Sequence, residues 1–252
     1  MSSKNISIGI VSEGVTDQYI IGQILGYIAM DVGIDFSINA IQPKYDAIND
    51  SWTQGGWGLI YSWCKSTITQ HGSFEQYIAT TGFDILIIQL DADVVYKKYK
   101  DCPSISPTPA DIVLPLSQPC PDCDCSIPCH ATGYVEDILK NWCSIISFSK
   151  KVIMCIPSKS LDAWVVASMP LADFKEKYQC DDDFKSRLKK IECITNPEQF
   201  FDASDKIGKS LKSYKRYSQT FLRNFSEVQG KCKMASVFCD EMKSLLLEIA
   251  SA

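Results

Sequence analysis

The sequence predicts an α/β fold, a mainly parallel sheet flanked by helices, and three observations predict it. Apolar runs of strand length alternate with segments of helix length, the pattern of βαβ units. One run, "DILIIQL" (Asp84–Leu90), is apolar almost throughout, as a strand covered on both faces must be. The chain has 252 residues, 46% of them hydrophobic, which suffices for one large core or a core with a smaller appended module.

Taken in order, the first strand is "ISIGIV", which passes through a Ser-Glu-Gly step into an amphipathic helix expected at about residues 15–30. "FSINAI" supplies the second strand, a helix is expected at about 57–71, and "DILIIQL" is the third strand. The stretch "CPSISPTPADIVLPLSQPCPDCDCSIPCH" follows, rich in proline and cysteine and too long for an ordinary loop. A helix at about 132–147, the strand "KVIMCIP" and a helix beginning near Ser160 complete the alternation. After Pro170 the chain becomes more charged and helical, with "FKSRLKKIE" and "DEMKSLLLEIA" as its clearest pieces. The predicted organisation is an α/β core over residues 1–169, with an insertion at about 101–130, and a helical C-terminal region over 170–252 packed on that core.

Formal net charge is -5 and pI about 5.1, so a polyanion has to meet a local basic surface or arrive through metal ions. A histone-like binder is disfavoured on that ground. No segment approaches the roughly 20 apolar residues of a membrane span, and "MSSKNIS" lacks the apolar region of a secretory signal. The expectation is a soluble cytoplasmic protein without a membrane partner, whose 12 cysteines are mostly reduced thiols.

Acids stand at two strand ends. Asp91 and Asp93 follow the body of the third strand, where alternate side chains of an extended chain share a face and suit a divalent cation. Glu13 ends the first strand, a place where burying a carboxylate is costly. Parallel sheets gather working groups at the carboxyl ends of their strands, so the three acids are expected to meet at one edge. An oxygen-rich cluster of this kind favours Mg²⁺ or Mn²⁺ and pairs with phosphate-ester substrates. Singly, each acid also fits a helix cap or a turn. Asp17, one helical turn beyond Glu13, either supports the cluster or favours the positive helix N-terminus.

These residues resemble a known family. "SEGVTD" after the first strand, followed by an apolar strand ending in "DAD", resembles the Toprim domain of topoisomerases, bacterial primases and OLD-type nucleases. The resemblance implies a Toprim/Rossmann-like sheet, with Asp91 and Asp93 holding Mg²⁺ and Glu13 doing general acid/base or metal-binding work. "VIMCIPSKSLDAWVVAS" (Val152–Ser168), in which Asp162 precedes Trp164 by two residues, resembles a segment of small Toprim-like bacterial proteins found in anti-phage defence loci. "NPEQFFDASDKIGKSLKSYKRYS" is similar to the same proteins. Many Toprim domains carry a third Asp where this chain has Val95, which makes Asp162 a candidate replacement ligand. Lys159, beside the fourth strand, either neutralises charge on a phosphoryl oxygen or is a solvated loop lysine.

"CPDCDCSIPCH" crowds Cys120, Cys123, Cys125, Cys129 and His130 together. Three or four of them can enclose a structural Zn²⁺, with Cys102 or Cys143 contributing from a distance; the alternative is a reduced surface loop. "ASDKIGKS" ends like a phosphate-binding loop but has Ala203 in place of the first glycine and no preceding strand. The basic stretch that follows carries Lys209, Lys212, Lys215 and Arg216, with Tyr214, Tyr217 and Phe221 interleaved. It reads either as a nucleic-acid surface with stacking aromatics or as a solvated amphipathic face with its aromatics in the core. Only His71 and His130 are present, which disfavours a histidine base, and no G-x-S-x-G signature occurs. Trp52 and Trp57, flanking "TQGG", suggest a packed turn without chemistry.

The leading expectation is therefore a Mg²⁺- or Mn²⁺-dependent nuclease acting on DNA or RNA, completed by Lys159 and Asp162. A second is a haloacid-dehalogenase-like phosphatase, with Asp91 as nucleophile, Asp93 as acid/base, and Lys159 and an acid of Asp181 to Asp183 in support. The third is a non-catalytic scaffold regulating a partner such as an ATPase.

Overall fold

Alternation along "ISIGIV" sends Ile6, Ile8 and Ile10 of β1 (Ile6–Val11) into one hydrophobic core and Val11 into another. The computed structural model of the chain describes residues 5–105, 129–158, 160–168 and 211–251. Within them, β1 lies between β2 (Phe36–Gln42) and β5 (Ile85–Gln89), and β6 (Val152–Cys155) follows in the order β2-β1-β5-β6. All three pairings are parallel. The expected mainly parallel α/β architecture is thus present, and every residue of β5 is buried. Because β1 and β5 are adjacent and parallel, their carboxyl ends open side by side, and that placement brings Glu13 to Asp91.

Both faces of the sheet are covered. On one face Ile85 and Ile87 of β5 and Ile153 of β6 join Ile20, Ile24 and Ile28 of α1 (Val15–Val32). Buried positions four apart on α1 follow the helical repeat. On the other face Leu86, Ile88 and Leu90 pack with α2 (Trp57–His71), α3 (Phe74–Thr81) and α4 (Cys129–Cys143). A short antiparallel hairpin, β3 (Tyr45–Asp46) with β4 (Ser51–Trp52), lies between β2 and α2.

After β6 come α5 (Leu161–Ala167), α6 (Leu211–Arg223), α7 (Phe225–Lys231) and α8 (Lys233–Ser251). Tyr214, Tyr217, Phe221, Phe225, Phe238 and Met242 are buried in the same core as α1 and β1. The C-terminal helices therefore supply a large part of that core's wall. Among the described residues no helix is long and apolar enough to cross a membrane.

Two elements escape the sequence pattern. α3 is short, and its sequence signal is a capping box: the Ser73 hydroxyl accepts the Gln76 N–H, three residues on. The β3–β4 hairpin is two residues long on each side, below the length at which alternation can register. The helix expected at 132–147 is displaced, starting at Cys129 and stopping at Cys143, where Ser144 takes a left-handed φ of 54°.

Because Phe221 is fully buried in the core shared with α1, Phe221→Ala is expected to destabilise the whole protein by about 3–5 kcal/mol. Urea denaturation followed by circular dichroism should show one transition at lower midpoint; a separate early transition confined to the C-terminal helices would contradict the shared core.

Candidate metal centre

The step after β1 is held by four bonds that leave Glu13 little freedom. Ser12 N–H donates to the Gln42 carbonyl at 2.7 Å, which extends the pairing with β2 beyond Val11. Glu13 N–H donates to Gln89 Oε1 at 2.9 Å, the Glu13 carbonyl accepts the Gly56 N–H at 2.6 Å, and Glu13 Oε1 accepts the Asp91 N–H at 2.8 Å. A carboxylate at this strand end thus receives a backbone donor from the neighbouring strand, which offsets part of its desolvation.

"TQGG" proves to be part of the same assembly. A Cβ on Gly55 would come within 2.1 Å of the Glu13 carbonyl oxygen, so the close approach demands glycine. Gly56, at φ 106°, occupies a region that L side chains rarely adopt. The turn between Trp52 and Trp57, expected to be packed, is exposed from Trp52 to Gly55, yet its glycines form the seat of the Glu13 backbone.

Asp91 continues β5 in extended conformation, but Asp93 lies in a 3₁₀ turn over Ala92–Tyr96. The expectation that strand alternation aligns the two aspartates is corrected here: the turn, not the pleat, carries Asp93 back beside Asp91. Two bonds fix this loop against the end of β6, Leu90 N–H to the Cys155 carbonyl at 3.2 Å and Ala92 N–H to the Pro157 carbonyl at 3.1 Å. Val95 is buried by the same turn in the core.

Glu13, Asp91 and Asp93 each offer a carboxylate oxygen, and the three oxygens lie within 4.8 Å of one another. All three residues are partly buried. Ligand oxygens of an octahedral Mg²⁺ stand about 3.0 Å apart when adjacent and about 4.2 Å when opposite, so the three carboxylates draw together on binding such an ion. The donor set is all carboxylate oxygen, which matches Mg²⁺ or Mn²⁺. Lys97 pairs with Asp93 at 3.1 Å on the exposed rim.

Sequence reasoning missed Gln89. Its fully buried amide bridges the two loops, accepting from Glu13 N–H and donating from Nε2 to Asp91 Oδ1 at 2.7 Å. The available signal is a polar residue within a buried apolar strand, two positions before Asp91 and hence on the same face.

A second rank of acids stands behind the three. Burial first, then the charges of Glu13, Asp17, Asp162 and Asp93, push the Asp91 carboxyl well above the ordinary carboxylate range. Asp17 is buried, and its carboxylate reaches back to Gly14, where a Cβ would stand 2.9 Å from Oδ2. It thus belongs electrostatically to the cluster as well as to the first turn of α1. Asp162, buried in the first turn of α5, accepts a hydrogen bond from the Tyr214 hydroxyl. Its oxygens are not among the three that converge. Desolvation and the charge of Asp162 push the Tyr214 phenol far up, so it remains the donor. Cys155 is fully buried on this side of the sheet, its thiol pushed well above its usual range by burial and by Asp91.

Other expected site residues divide as follows. Lys159, Lys209, Cys120, Cys123 and Cys125 lie outside the described residues, as do Asp181 to Asp183. Cys129 and His130 begin the backbone of α4. Cys143 is buried against Cys64, whose thiol is raised first by their hydrogen bond, and the Cys102 Sγ lies 3.1 Å from the Ser104 hydroxyl. Lys212, Lys215 and Arg216 are exposed on α6, while Tyr214, Tyr217 and Phe221 are buried, which removes these aromatics as base-stacking groups. His71 is half-buried at the end of α2, with Nδ1 3.3 Å from the Thr80 hydroxyl.

No protein-family model matches this chain, and no curated protein or solved structure matches it.

Gln89→Leu removes both ends of the bridge and leaves the Glu13 N–H unpaired, an expected cost of about 1–3 kcal/mol that urea denaturation can measure. For Asp91 the linkage has a definite sign. Its pKa is raised in the folded protein, so its contribution to stability grows as pH falls through that raised value and is complete below the unfolded value of about 3.9. In EDTA, wild type should lose stability relative to Asp91→Asn as pH rises through the folded pKa. Mg²⁺ should raise the melting temperature of wild type most at the alkaline end and leave Asp91→Asn nearly unmoved; thermal melts across pH check both.

Proposed function

We propose that the protein is a divalent-metal-dependent phosphoryl-transfer enzyme, a Toprim-type nuclease that hydrolyses phosphodiester bonds in DNA or RNA. The observation that carries the reading is the convergence of Glu13, Asp91 and Asp93 from two adjacent parallel strand ends. Support also comes from the likeness of "SEGVTD" and "DAD" to Toprim motifs, and the likeness of "VIMCIPSKSLDAWVVAS" to proteins of anti-phage defence loci extends the proposal to defence, with an ATPase as a candidate partner.

In this reading Asp91, Asp93 and Glu13 hold Mg²⁺ or Mn²⁺, which when bound stabilises charge on phosphate oxygens and lowers the pKa of water. The chain's own groups prepare that site. Gln89 Nε2 fixes one oxygen of Asp91, and the Asp91 N–H fixes one oxygen of Glu13, so both carboxylates are oriented before a substrate arrives. Burial first, then the charge of Glu13, holds Asp91 toward its protonated form without a cation, and Glu13 is assigned either the proton of the attacking water or a share of the metal. Asp162, engaged by Tyr214, acts through the field it places on Asp91 and is a positioning residue.

Purified protein with Mg²⁺ or Mn²⁺ and single- and double-stranded DNA and RNA tests the proposal. Wild type should cleave at least one of them, EDTA should abolish cleavage, and Asp91→Ala/Asp93→Ala should lose roughly 100-fold or more in rate. Equal rates in wild type and variant would sink the reading. Phosphomonoester hydrolysis that survives Glu13→Ala would instead make Asp91 a phosphatase nucleophile, and metal binding without turnover of any substrate would make the protein a regulator.

A further inference from the structure

α6 divides its residues sharply. Tyr214, Tyr217, Ser218 and Phe221 are buried, whereas Lys212, Lys215, Arg216, Gln219 and Arg223 are exposed. At about 100° per residue the five exposed residues fall within an arc of roughly 100°, opposite the buried side. Leu211–Arg223 contains no acidic residue, and its four cations form no ion pair with any described residue. A solvated amphipathic helix ordinarily mixes signs on its outer face. Four cations unopposed among the described residues, on one helix of a chain with net charge -5, are a segregated patch.

The patch has a fixed relation to the acid cluster. Tyr214, between Lys212 and Lys215, donates to Asp162, and the Asp162 charge reaches Asp91. The inner side of α6 is thus bonded to the rear of the candidate site while its outer side presents cations. Along the helix axis Lys212 and Arg223 are about 16 Å apart, a distance that spans several phosphates of a nucleic-acid strand.

We propose that the outer face of α6, through Lys212, Lys215, Arg216 and Arg223, binds the phosphate backbone of duplex nucleic acid. The inference rests on the phosphodiesterase reading and adds to it the form of the substrate. With Tyr214, Tyr217 and Phe221 committed to the core, the face offers charge and no stacking platform. Recognition through phosphates alone is insensitive to sequence and gives no advantage to unpaired bases.

The test is binding of the full chain to a short labelled duplex in EDTA, by fluorescence anisotropy over a salt series. Four phosphate contacts give log K against log salt a slope of roughly -3 to -4. Lys212→Gln/Arg216→Gln, both exposed and outside the acid cluster, should weaken binding about tenfold or more and flatten the slope by roughly 1.8, equally for different sequences. A wild-type slope near zero, an unchanged slope in the variant, or tighter binding of the corresponding single strand would overturn the inference. Mn²⁺ titration by calorimetry separates it from the metal reading: the α6 variant should keep wild-type Mn²⁺ affinity, and Asp91→Ala/Asp93→Ala should lose Mn²⁺ while still binding the duplex. Loss of duplex binding in the latter variant would also overturn the assignment to α6.

Discussion

The amide of Gln89 is the constraint on which the carboxyl edge of the sheet depends. It is fully buried, and both its ends are used: Oε1 takes the Glu13 N–H and Nε2 serves Asp91. Between these two loops the backbone ladder has stopped, with β1 ended at Val11 and β5 at Gln89 itself, while their remaining backbone bonds run outward to Gln42 and Cys155. A side-chain amide can replace the missing ladder because it carries a donor and an acceptor. Glu13 Oε1 then closes the circuit by accepting the Asp91 N–H. The ring of bonds joins two strand ends separated by more than seventy residues of sequence.

This ring holds like charges together, a state that requires compensation. Each carboxylate is oriented by a neutral donor from the chain, and Asp91 responds to burial and to four neighbouring acids by holding its proton more tightly. Proton and cation therefore compete for the same oxygen set, since either relieves the repulsion. Glycine contributes through absence: Gly55 lets the segment after β4 approach the Glu13 carbonyl closely enough to fix its backbone. The acids at the edge are thus framed by three separate loops, after β1, after β4 and after β5.

Charge is distributed by layer. Acids gather inside, between the sheet edge, α1 and α5, and cations stand outside on α6. Tyr214 joins the two, since its ring belongs to the core and its hydroxyl to Asp162. An acidic protein meets a polyanion through bound cations or through such a local reversal of sign, and the helix that carries the reversal is the one whose inner side braces the acid cluster.

Strand-length apolar runs and helix-length intervals were enough to read the parallel α/β class from the sequence, because buried strands and amphipathic helices impose local periodicities. The position of Glu13 after one strand and of Asp91 after another was also legible, because strand ends are marked where apolar runs stop. What only the tertiary structure decided is pairing: that β1 and β5 are neighbours, that a 3₁₀ turn rather than the pleat returns Asp93 to Asp91, and that Gln89 spans the gap. The division of α6 into buried aromatics and exposed cations was open in the sequence and was settled by packing against α1. Hydrogen bonds between residues distant in the chain leave no periodic trace, and a single glutamine in an apolar strand states a need for partners without naming them.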